Sequence, residues 1–86
     1  MPPVRKGQIV RSKAGRDKDK FLVVVDVKIG GAMLSDGKER PLERPKFKNF
    51  KHLAPTAKHL TERELLTNKS VLHSLRDYSQ TVKGDE

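Results

Sequence analysis

The sequence predicts a mostly β fold, a small barrel followed by a short C-terminal helical extension. Three observations lead there. Residues 21–27, Phe-Leu-Val-Val-Val-Asp-Val, form a nearly continuous run of β-branched and aromatic residues. Short apolar segments on either side are separated by glycines, prolines and an Asp-Gly pair at close spacing, the texture of short strands joined by tight turns. Helical signals begin only after Pro55. The expected organisation is a barrel over residues 1–55 and a helical extension over 56–86 that packs on it.

The elements follow in order. Residues 7–12, Gly-Gln-Ile-Val-Arg-Ser, contain the strand formers Ile9 and Val10 between Gly7 and Gly15. The charged, glycine-containing stretch 14–20 is a loop. The run from Phe21 is apolar at successive positions, so it must be buried on both faces. Gly30-Gly31 marks a turn, Ala32 to Ser35 a short strand, and Asp36-Gly37 a hairpin from which Lys38 to Leu42 pairs back antiparallel. Pro41 and Pro45 confine the next segment to an edge or a linker. Phe47 to Leu53 is a further strand, although Phe47, Phe50 and Leu53 do not alternate with period two. Thr61-Glu62-Arg63-Glu64 fits a capping box that opens a short helix through Leu66. Asn68 is a second N-cap, and Val71, Leu72, Leu75 and Tyr78 share one helical face that packs on the barrel. Residues 81–86 are expected to fray.

Composition narrows the function. A chain of 86 residues supports one modest core and no deep enzyme cleft. The absence of cysteine removes disulfides and thiolate zinc sites. Residues 1–6 are basic but lead into no apolar h-region, and the run Phe21 to Val25 is too short to cross a bilayer. The expectation is a soluble cytoplasmic protein with no membrane partner. His52, His59 and His73 offer no i, i+4 ligand pair, and Asp17 and Asp19 lie in a charged loop without a partner base. No catalysis, metal or cofactor is expected.

Net charge is +8, which points to a polyanion. The charge is concentrated in two blocks. Residues 1–20 and 37–59 each carry net +5, while 21–36 and 60–86 each carry −1. A merely solubilising surface would spread its cations more evenly.

Gly7-Gln8-Ile9-Val10, followed by the loop Ala14 to Lys20 and the strand from Phe21, resembles a KOW motif: strand, basic glycine-containing loop, strand. With Leu34-Ser35-Asp36-Gly37 and the segment Pro45 to Leu53, the chain resembles small bacterial KOW-domain RNA-binding proteins. These are related to KOW-bearing large-subunit ribosomal proteins of archaea and eukaryotes. The resemblance covers roughly residues 5–80 and is firmest over 7–53. It implies an SH3-like barrel and binding to RNA, commonly ribosomal RNA, with the closest relatives among large-subunit components; the chain itself is expected to be a monomer off the ribosome. Asp19 stands where the family usually has glycine, and aspartate is one of few residues that tolerate positive φ.

RNA recognition requires cations for phosphate, donors for sugar and base edges, and flat groups for stacking. Arg11, Lys13, Arg16, Lys18 and Lys20 supply cations in the first block, partly neutralised by Asp17 and Asp19. Arg40, Arg44, Lys46, Lys48 and Lys51 supply them in the second, with Asn49 and His52 as donors; its higher positive density makes it the expected main contact. Phe47 and Phe50 interleave with these cations, either stacking on bases or, as the scarcity of aromatics favours, filling the core. The competing reading is a protein-interaction module that docks a transcription or translation factor, with the nearly neutral helical tail as its contact.

Overall fold

The β-branched run forms the central strand of one antiparallel sheet. A computed structural model describes residues 2–84. Its strands are β1 (Gln8–Ser12), β2 (Phe21–Lys28), β3 (Gly31–Ser35), β4 (Lys46–Asn49) and β5 (Leu53–His59), in the order β4-β3-β2-β1-β5. A 3-10 turn, Phe50–His52, joins β4 to β5, and one helix, α1 (Asn68–Gly84), closes the chain. The fold is thus mostly β with a C-terminal helix, as the sequence predicts. Among the described residues no helix is long and apolar enough to cross a membrane.

The connection between β4 and β5 dictates the shape of the sheet. These strands occupy opposite edges, yet only three residues separate them. Five flat strands at standard spacing would put the edges about 19 Å apart, whereas the chain from Asn49 to Leu53 reaches about 14 Å at most. The sheet must curl. Val4, Val10, Leu22, Val24, Ala32, Leu34 and Leu53 fill its concave side, with Phe50 and Val27 packed against them. Burial on the other side belongs to Ile9 and Val23, covered by Leu60 and by Val71 and Leu75 of α1. Phe21 meets Tyr78 edge to face, ring centroids 5.1 Å apart. This is why β2 is apolar at consecutive positions: one parity faces the barrel interior and the other the helix.

Val25 interrupts that alternation. Val24 pairs with Leu34 and Asp26 with Met33, so Val25 is the extra residue of a β-bulge. Beyond it the parity is reset, and Val27 lies in the same cluster as Val24. Between β1 and β5 the register also shifts, and side chains fill the gap. Thr56 Oγ1 donates to the Ile9 carbonyl (2.7 Å), and Gln8 Nε2 donates to the Thr56 carbonyl (2.8 Å).

Five expectations are corrected. Lys38 to Leu42 does not pair back onto β3; its partner is β4, with Leu34 opposite Lys46 and Met33 opposite Phe47. The Asp36 carboxylate accepts the amides of Lys38 and Arg40 (2.8 Å each), which a hairpin ladder would have used. The segment Phe47 to Leu53 is not one strand, because Asn49 caps the 3-10 turn by accepting the Lys51 amide. The sheet does not end at Pro55: β5 runs to His59, and as an edge strand it tolerates a proline. The capping box at Thr61 and Glu64 forms in both directions (3.0 and 3.2 Å) but yields a single turn, not a helix. The C-terminal helix α1 is 17 residues long and runs from Asn68 to Gly84; of the tail expected to fray, residues 85 and 86 lie outside the described residues. Its first amides are met by Thr67, whose hydroxyl accepts from Ser70 (3.1 Å). Asn68 instead bridges to the 36–45 loop, accepting the Leu42 amide (2.7 Å) and donating to Glu43 (3.0 Å).

Candidate nucleic-acid interface

The two basic blocks, separated in sequence by β2 and β3, meet at one end of the barrel. The β1–β2 loop is closed by Ser12 N–H donating to the Lys20 carbonyl (2.9 Å) and Asp19 N–H donating to the Ser12 carbonyl (2.8 Å). Gly15 and Asp19 carry its two left-handed turns, at φ +87° and +70°. Aspartate thus occupies a position with the backbone conformation that glycine most readily adopts. Lys13 N–H then donates to the His52 carbonyl (2.8 Å), which binds this loop to the 3-10 turn of the second block. On its other flank, Arg16 and Lys20 share a small depression with Arg40 and with the acids Asp17, Asp36 and Glu39.

A second tie is internal. Lys48 is 8% exposed. Its ammonium donates to Ser12 Oγ (2.6 Å), to the Ala14 carbonyl (2.6 Å) and to Asp17 Oδ1 (2.5 Å). Three acceptors satisfy the three N–H donors of a lysine, the condition under which a charge is tolerated in an interior. Ser12 Oγ also lies 3.0 Å from Asp17 Oδ1 and 2.9 Å from the Ala14 carbonyl. Burial raises the Asp17 carboxyl, but the hydrogen bonds from Lys48 and Ser12, with the Lys48 charge, outweigh it and hold the group below its ordinary value. The β1–β2 loop is therefore pinned to β4 through an ionised, nearly dry pair.

Lys48 accordingly leaves the set of residues expected to meet RNA, because its charge is consumed inside the protein. Its orientation follows from register. Lys48 sits opposite Ala32, and Lys46 opposite Leu34, both partners being interior residues. Phe47 and Asn49 take the opposite parity and face outward. Nothing in the local sequence distinguished the two parities, since lysines and an aromatic simply alternate there.

The remaining expected residues stay accessible. Lys13, Arg16, Lys18, Lys20, Arg44, Asn49 and Lys51 are exposed, and Arg11, Arg40, Lys46 and His52 are half-buried. Arg11 pairs with Asp19 at 2.9 Å, both side chains well hydrated, so the pair contributes little to stability and partly neutralises this flank. Among the described residues no acid pairs with Lys13, Arg16, Lys18, Lys20, Arg40, Arg44, Lys46 or Lys51. Phe50 packs on the core, whereas Phe47 is 47% exposed. No protein-family model and no curated protein matches the chain.

Proposed function

We propose that this chain is a cytoplasmic RNA-binding protein that seats on large-subunit ribosomal RNA through the end of the barrel where its two basic blocks meet. The observation that carries the reading is the hydrogen bond from Lys13 to the His52 carbonyl, which sets the loop of the first basic block beside the 3-10 turn of the second. Arginines among them can fork onto phosphate oxygens while lysines act as point charges. A loop pinned through Lys48 and Asp17 holds those cations without ordering them anew on binding, which lowers the entropy cost of association. The resemblance of residues 7–53 to KOW proteins supports RNA as the polyanion and the large subunit as its source.

Two measurements test this. Titration of a structured ribosomal RNA fragment at several salt concentrations should give log affinity falling with log salt by about 0.7–0.9 per neutralised phosphate. Sucrose-gradient fractionation of lysate at low salt should place the protein with the large subunit, with partial release as salt rises. A flat salt response, or protein found only at the top of the gradient or with RNA polymerase, contradicts the reading.

A further inference from the structure

We infer that Phe47 is a stacking platform for one unpaired base, so that the RNA bound carries a bulged or single-stranded nucleotide beside a phosphate-rich segment. The inference rests on the RNA-binding reading above and refines its substrate. It begins from an inverted pattern: in β4 the lysine at 48 faces the interior and the phenylalanine at 47 faces out. An exposed aromatic between two lysines on a barrel strand forgoes the burial that a phenylalanine ordinarily contributes.

The ring is held in place. Its Cζ lies 2.5 Å from where a Cβ on Gly31 would stand, so the ring fills the space left by that glycine. One side is thus backed by the protein while the residue as a whole remains 47% exposed. On the same face, two residues along, Asn49 uses Oδ1 to accept the Lys51 amide. Its Nδ2 has no acceptor among the described residues and can donate to a sugar or a base edge. Lys51 and His52 follow in the 3-10 turn, so this face is continuous with the basic end.

Few apolar side chains are exposed on this part of the barrel: Phe47 on β4 and Ile29 in the β2–β3 turn. The other side chains of this face in register with Phe47 are Met33 and Asp26, and Asp26 holds Lys28 at 3.1 Å. A stable protein interface needs about 800 Å² from each partner with an apolar centre. The exposed ring, with the half-buried Met33 beside it, an ion pair beyond and Lys51 in the next turn, matches the stacking sites of single-strand binders, which set an aromatic among cations.

The test uses the full chain and two synthetic RNA hairpins closed by the same compact tetraloop with its bases stacked, one with a fully paired stem and one whose stem carries a single bulged nucleotide. Phe47→Ala should lower affinity for the bulged hairpin roughly ten-fold and for the paired hairpin less than two-fold, with an unchanged salt slope. Phe47→Trp should retain affinity, and because the chain contains no tryptophan its fluorescence reports this site alone. Quenching on binding the bulged RNA supports the inference. If both hairpins bind wild type with steep salt dependence but F47A loses nothing, or F47W stays unquenched while bound, the platform is overturned and the RNA-binding reading stands. Loss of self-association in F47A, measured by sedimentation, would also overturn it in favour of a second copy as the occupant. Failure of wild type to bind either hairpin at low salt removes both.

Discussion

Replacing Lys48 with methionine keeps most of the side-chain volume and removes the ammonium. The Asp17 carboxylate, 14% exposed, then keeps only the Ser12 hydroxyl as a side-chain donor, and the Ala14 carbonyl loses its ammonium partner. Removing one member of a buried ion pair typically costs about 3–5 kcal/mol, because the other charge stays buried without compensation. Asp17 retains some contact with water, so the lower end, about 3 kcal/mol, is expected. That is a large share of the stability of a domain this size, which lies in the range of about 5–10 kcal/mol. Urea denaturation followed by circular dichroism should show a lower midpoint at unchanged slope, and Tm should fall by more than about 10 °C. Combining Lys48→Met with Asp17→Asn should recover part of the loss, since no unpaired charge then remains. If Lys48 were an exposed phosphate contact, K48M would shift stability by about 0.5 kcal/mol or less. A midpoint equal to wild type, or a double variant whose losses simply add, would refute the internal role.

Other outcomes follow from the same geometry. Changing Arg16, Lys18 and Lys20 together to Glu, or Lys46 and Lys51 together, should each cut RNA affinity by at least about ten-fold and flatten its salt dependence, with Tm moving by only a few degrees. Asp17 and Glu64 are both held below their ordinary values of 3.8 and 4.5, Glu64 chiefly by the Thr61 amide. For depressed carboxyls the stabilisation is complete above the unfolded values and disappears as pH falls through the folded ones. Urea midpoints should therefore hold near neutrality and drop below about pH 4, and the drop should be shallower in Asp17→Asn. Gly37→Ala should be more destabilising than Gly30→Ala when compared by thermal melts. Both positions have positive φ (+77° and +80°), worth about 1–2 kcal/mol of strain each. Only at Gly37 would a Cβ also collide with the Asn68 carbonyl.

What the sequence revealed and what it hid have separate physical causes. The apolar run of β2 required two covered faces, and the helical stripe Val71, Leu75 and Tyr78 provides one cover. Burial demands of this kind are written locally. Asp19 likewise carried its backbone conformation in its residue type. The hairpin expected at Asp36-Gly37 failed because the same aspartate captures two amides two and four residues on, and because the glycine is needed where the loop touches the start of α1. Strand β5 was hidden because Leu-Ala-Pro-Thr-Ala-Lys-His lacks an apolar alternation and is held largely by edge pairing to β1. The interface was legible as two charge blocks but not as one surface, since the bonds that join them span long separations. The inward turn of Lys48 depends on which residue of β3 it opposes, a property of register that the local pattern does not contain.

The most direct test of the account is an NMR titration of the labelled protein with a ribosomal RNA fragment at moderate salt. Amide shifts should be largest at Lys13 to Lys20, at Arg40, and from Lys46 to His52, with the outer face of α1 little changed at His73 and Asp77. Shifts concentrated on α1, or none at concentrations where the RNA is saturating, would contradict the claim that the joined basic blocks are the RNA-binding surface.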